Sequence, residues 1–147
     1  MPLNIEVPVK YKKVIEPARD AISYRNLVKF YYESRPNSKN KGGNKGYRII
    51  RPYMILQEAG TLKLVGTPIT ELSKEISKRQ PGHYKISQLE QRLEVNGFEV
   101  LPETFDDAAV PRNIVVNTKS TPIYRFIYDD EDPKKVKAGW LKIKYIK

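Results

Sequence analysis

Acid–base chemistry near neutral pH draws first on histidine, and this chain has one, His83. It stands among basic neighbours with no carboxylate close in sequence, so a surface or ligand-touching role is expected of it rather than catalysis. There is no cysteine, which excludes disulfides, thiolate metal sites and a thiol nucleophile. No G-x-S-x-G elbow, H-E-x-x-H pair or Walker loop occurs. The glycine-rich run 40–46 lacks a Gly-Lys-Ser/Thr ending and opens onto a predicted strand, so no helix dipole stands behind it. Its lysines, with Lys39, Lys41 and Lys45, could still lie along a phosphate backbone. Asp129, Asp130, Glu131 and Asp132 are consecutive and lack the alternate spacing of a cation loop, so they read as a solvated turn, as does Asp106-Asp107. No enzyme activity, metal or cofactor is expected.

Charge is more informative. The net charge is +10 and the pI about 9.7. Residues 1–51 carry twelve Lys and Arg against four Asp and Glu, so this third of the chain supplies +8. Such a field attracts polyanions and is screened by salt. Near the C-terminus, strict alternation in 138–147 would put Leu141, Ile143 and Tyr145 inward and Trp140, Lys142 and Lys144 outward. An aromatic among lysines can stack a base while the cations hold phosphates. The same Trp could instead be covered by the acidic turn or by a second copy.

The elements that must position these residues are mostly strands. Residues 1–16 look extended, since Pro2 and Pro8 disfavour helix. Pro17 can open a short helix over 16–26. Strands are predicted at 27–34, 47–57 and 61–66, with a polar loop at 35–46 and a tight turn at 58–60. Pro52 lacks an amide donor, so its strand should be bulged or at an edge there. A helix with Thr70 as N-cap is expected within 67–82. Residues 83–91 alternate as a strand, and Asn96-Gly97 suggests a hairpin over 93–101. Further strands are expected at 113–117, 122–129 and 138–147. Tight turns join the strands, which favours an antiparallel barrel or sandwich. No run approaches about 18 apolar residues and the N-terminus holds no apolar block, so neither a membrane span nor a secretory signal is expected, and the chain reads as cytoplasmic.

Several blocks together resemble the WYL-domain family. AISYRNLVKFYY carries Ala21, Ile22, Val28, Phe30 and Tyr32 where the family has "A-I-x-x-x-x-x-V-x-F-x-Y". RIIRPYMI follows the pattern "R-x-V-x-P-Y-x-L" through Arg48, Ile50, Pro52, Tyr53 and Ile55. LKLVG matches the end of "W-Y-L-V-G" at Leu64, Val65 and Gly66, with Leu62 and Lys63 in place of Trp and Tyr. GHYKISQL is similar to "R-x-F-R-L-D-R-I", with His83 and Lys85 on its basic positions, and FEVLPETF echoes the closing region.

The resemblance implies a mainly β fold, an Sm-like or SH3-like antiparallel β-barrel with short helices, over 19–105. An extended arm (1–18) would precede it and a C-terminal β extension (106–147) would follow. It also implies a non-enzymatic regulatory or accessory module that binds nucleic acid or a nucleotide-type ligand. Nothing before residue 19 reads as a helix-turn-helix, so the module is expected to act alone, as a homo-oligomer or beside a protein partner. The family's basic contacts fall on Arg48, His83 and Lys85. Arg51 and Lys63 would join them, and Tyr31, Tyr53 or Trp140 would stack a base. Arg48 and Arg51 lie three apart, so they should face opposite ways unless Pro52 marks a bulge between them. The rival expectation is an interaction module that docks an acidic protein or oligomerises through its C-terminal strands.

Overall fold

A computed structural model of the chain describes residues 5–33, 45–69, 82–105, 120–128, 136–140 and 143–147. The fold is mainly β. Its centre is strand β3, numbered in chain order (Lys45–Glu58), which is long enough to serve several neighbours. Its first half pairs with β2 (Asn26–Glu33), through Val28 with Ile50, Phe30 with Arg48 and Tyr31 with Tyr47. Its second half takes β4 (Thr61–Pro68) on one edge and β7 (Ser120–Tyr128) on the other. Pro52 sits where these duties change. It cannot donate to a ladder, and the β3–β4 register shifts between Pro52 and Met54, so Tyr53 is the extra, bulged residue. The bulge expected from Pro52 is therefore present.

The β3–β4 turn is Ala59-Gly60, with both residues at positive φ (49° and 81°), the twist that a two-residue hairpin loop requires. Short β5 (Gly82–Lys85) lies outside β4, and β6 (Phe98–Thr104) lies outside β2. The order is β5-β4-β3-β2-β6, with β7 on β3 and β8 (Val136–Trp140) on β7, and each of these pairs is antiparallel. Among the described strands the sheet does not close by backbone pairing into a barrel. It curls until side chains meet instead. The Lys85 amide donates to the Tyr32 hydroxyl at 3.1 Å. The side-chain amide of Gln88 accepts from the Glu33 N–H and donates to the Glu33 carbonyl, both at 3.2 Å.

The segment 83–91 is not one strand. Four residues form β5, and Ile86–Gln91 turns into helix α2. Ile86 and Leu89 are both buried, a spacing of three that suits a helix face and that a strand would split. Asn96-Gly97 does not make a hairpin either. The amides of Val95, Asn96 and Gly97 fold back on the Arg92 carbonyl, and the chain then leaves to pair β6 with β2.

Helix α1 (Lys12–Tyr24) starts five residues before Pro17 and contains it. A proline inside a helix costs about 3 kcal/mol. Starting early buries Val14 and Ile15 beside Ala18, Ala21 and Ile22, and each of those two larger side chains contributes about 1.5–3 kcal/mol, enough to offset the loss. Arg25 ends the helix in the left-handed region (φ 58°).

Residues 1–18 are consequently not an extended arm throughout, because only Ile5–Pro8 of their described part is a strand. Strand β1 (Ile5–Pro8) pairs in parallel with β9 (Ile143–Ile146), and Val7 is fully buried. Tyr145 donates to Glu16 of α1 at 3.0 Å. Burial above all, then this bond, pushes the Tyr145 phenol well above its usual pKa. Residues from Val7 to Tyr124 share one core, against which Ile143 and Tyr145 pack. The expected helix within 67–82, the strand at 113–117, both acidic turns and most of the glycine-rich loop lie outside the described residues.

Candidate nucleic-acid interface

Side chains alternate across a strand, and directly opposed residues share a face. The cross-strand register therefore sorts the basic residues. Val28, Phe30 and Tyr32 of β2 point into the core, and Arg48, opposite Phe30, points the same way. Tyr47 and Ile49 point outward with Tyr31 and Lys29. Arg51 continues that outward series and faces Thr67. Along β4 the same side runs through Thr67 and Val65, both buried, with Val65 opposite His83, to Lys63, opposite Lys85. One side of the sheet thus carries Arg51, Lys63, His83 and Lys85, with His83, Lys63 and Lys85 adjacent and Arg51 four β4 residues from Lys63, about 13 Å at ~3.3 Å each.

These four residues are half-buried. Lys63 reaches Glu58 at 3.4 Å, and Ser120 donates to the same carboxylate oxygen at 3.3 Å. Burial first, then the Lys63 charge, lowers the His83 pKa below 6.5, with Glu58 opposing. His83 is therefore neutral at pH 7 and titrates below it. The Arg51 Nε is buried without a hydrogen-bond partner. Among the described residues no carboxylate forms an ion pair with Arg51 or Lys85. Two lysines directly opposite each other cost about 0.2–1 kcal/mol, a cost that a bound anion would relieve.

The outer face continues across β3 onto β2 with a different chemistry. Lys29 Nζ lies 5.1 Å from the Tyr47 ring centre. Tyr47 meets Tyr31 edge-on at 5.5 Å. The Arg92 guanidinium lies 4.8 Å from the Tyr31 ring centre and bonds Glu33 at 2.7 Å. The order along the face is cation, ring, ring, cation.

Several expectations for single residues do not survive. Arg48 is on the inner face, close enough to Tyr84 for its charge to act on that phenol, whose pKa burial nevertheless raises. The bulge follows Arg51, so it does not alter the opposite facing of Arg48 and Arg51. Tyr53 cannot stack a base. It is 1% exposed, packs edge-on against Phe105 at 5.9 Å and has a raised pKa from burial. The Trp140, Lys142 and Lys144 stripe needs one unbroken strand, but Trp140 belongs to β8 and Lys144 to β9, in separate sheets. Lys142 and the Trp140 side chain lie outside the described residues. Lys144 is exposed opposite Glu6, in the separate β1–β9 sheet.

Tyr31 lies on the outward side of β2, opposite Tyr47. Its companions Tyr47 and Lys29 were missed by sequence reasoning, although alternation in LVKFYYE and a 31-to-47 register would have aligned them. Arg92 had no such signal, because it arrives from the turn after α2.

Among the described residues no group of three or more His, Asp or Glu lies close enough to hold a metal ion. None of their helices is long and apolar enough to cross a membrane. No family model, curated protein or solved structure matches this chain.

Proposed function

We propose that the chain is a WYL-like, non-enzymatic accessory protein of the cytoplasm that binds phosphate-bearing ligands, single-stranded nucleic acid foremost, across the outer face of its sheet. One observation carries this reading: Arg51, Lys63, His83 and Lys85 share one face, and the opposed lysines there are of like sign. Cations held at strand spacing match a phosphate backbone, which is recognised by charge rather than by sequence.

The fold proposed with it is an open variant of the Sm/SH3-like barrel. The bend of β3 at its bulge supports this, as do the side-chain links that join Glu33 to α2 and Tyr32 to β5. Gly66 of the LKLVG strand also fits. A Cβ there would clash with the Arg51 carbonyl and come within 2.8 Å of Ile50 Cδ1, so the close approach of β3 and β4 requires glycine. The inward Arg48 departs from the family pattern, and Arg51 takes its role.

The rival role, an interaction module built on the C-terminal strands, is weaker. β7 is paired on both edges, with β3 and β8, and Ile123 and Tyr124 are core residues, which leaves only β8 and β9 of the C-terminal strands with one unpaired edge each among the described residues.

Fluorescence anisotropy of labelled single-stranded DNA and RNA against salt tests the proposal. Three cations on phosphates should give a log–log salt slope of about −2, at ~0.7 per contact. Absence of any anisotropy change with micromolar protein at ~50 mM salt, for every DNA and RNA tried, overturns it.

A further inference from the structure

Arg51, Lys63, His83 and Lys85 occupy the β3–β5 side of the outer face. Across β2 and β3 the same face presents Tyr47 and Tyr31, with Lys29 against the first ring and Arg92 against the second. Tyr47 is 56% exposed, much for an aromatic ring in a paired strand. Its hydroxyl is also within 3.5 Å of the Asn96 side-chain amide. The ring is thus held in one setting by its neighbours while most of its surface stays open, so little rotamer entropy remains to be lost when a flat ligand lands on it.

The carboxylates decide which part of a ligand belongs here. Glu33 binds Arg92, and exposed Glu99 stands across from Lys29. Among the described side chains, two carboxylates therefore stand beside the two cations at the rings, whereas Glu58 alone stands with Arg51, Lys63 and Lys85. Phosphates favour the cationic half, and planar uncharged groups favour the ring half. From Tyr47, paired with Tyr31, to Leu56, paired with Lys63, β3 runs nine residues, up to about 30 Å at ~3.3 Å each. A mononucleotide is too short to reach from the rings to the opposed lysines, and a single strand of several nucleotides is not.

We infer that Tyr47, backed by Tyr31 and flanked by Lys29 and Arg92, is a base-stacking subsite, and that the ligand of this face is a single-stranded oligonucleotide. The inference rests on the proposed anion-binding reading and adds the base to the phosphate. Paired bases are stacked inside a duplex and cannot reach the ring, so single strands bind more tightly than duplexes of the same sequence.

The test uses the full chain and three labelled probes: a short single-stranded DNA, an abasic strand of the same length, and the duplex. The normal strand should bind about 5- to 150-fold more tightly than the abasic one, the span of one stacked base. Tyr47→Ala should erase that ratio while leaving abasic binding unchanged, and Tyr47→Trp should keep it. Equal binding of normal and abasic strands by the wild-type chain overturns the stacking subsite and leaves the anion site standing. Equal weakening of both strands in Tyr47→Ala overturns it as well, since the ring would then act only structurally. A duplex preference overturns the choice of ligand. If none of the three probes binds, the anion-binding reading itself falls.

Discussion

The same strands that hold the aromatic core on their inner face hold the cations on their outer face, and neighbouring residues answer to opposite demands. Phe30 is 1% exposed and touches three rings, Tyr32 at 6.3 Å, Tyr84 at 5.1 Å and Phe98 at 6.0 Å. Tyr31, one residue on, contacts a half-open ring and a guanidinium at the surface. Arg48 and Arg51 make the same contrast among charges. The inner arginine stands among rings beside Tyr84, and the outer one joins two lysines and a histidine. A basic residue type therefore says little about function until its face is known.

The largest effect should come from the inner face. Phe30→Ala should lower unfolding free energy by about 3–5 kcal/mol in urea titration, whereas Tyr31→Ala should cost only about 1–2, for one ring pair and one cation–ring contact. Equal costs would break the contrast between the faces. Gly66→Ala should follow, with about 1–3 kcal/mol lost to the clash with the Arg51 carbonyl and Ile50, and the loss should be read as a lower urea midpoint at unchanged slope.

Smaller effects belong to the outer face. Arg51→Ala, Lys63→Ala and Lys85→Ala should each reduce the salt slope for single-stranded DNA by about 0.7, while Arg48→Ala should leave the slope alone and lower stability instead. A slope change in Arg48→Ala equal to the others would return it to the site.

The smallest effect is pH-dependent. Unfolded His83 titrates near 6.5, and in the folded chain burial and Lys63 move its pKa below that value. Between the two values the unfolded chain holds more protons. Stability from this group is therefore complete above about pH 6.5 and is lost as pH falls through the folded pKa. A phosphate beside His83 favours the protonated ring, so oligonucleotide affinity should rise as pH falls from ~7.5 to ~5.5. His83→Ala should flatten that rise. An unchanged profile in the variant would place His83 outside the interface.

Much of the strand order was legible because its signals are local. Runs of β-branched and aromatic residues marked β2, β3 and β4, a tight turn at 58–60 joined the last two, and Pro52 announced its bulge. The failures share one cause, which is that distant burial overrode local preference. Val14 and Ile15 drew α1 backward through Pro17, and Ile86 and Leu89 turned a strand pattern into α2. The candidate site was half legible. Lys63, His83, Lys85, Arg51 and Tyr31 were named from the sequence, but Arg48, Tyr53 and the Trp140 stripe were placed with them wrongly.

By itself the sequence determined a basic chain without thiol chemistry and a mainly β architecture, because charge and residue type are properties of short segments. Only the tertiary structure decided which parity faces water, where β9 docks and how Arg92 comes to lie on Tyr31. Those depend on cross-strand register and on contacts between residues far apart in the chain. Such contacts are chosen by which apolar faces can be buried together, and no short window of residues contains that choice.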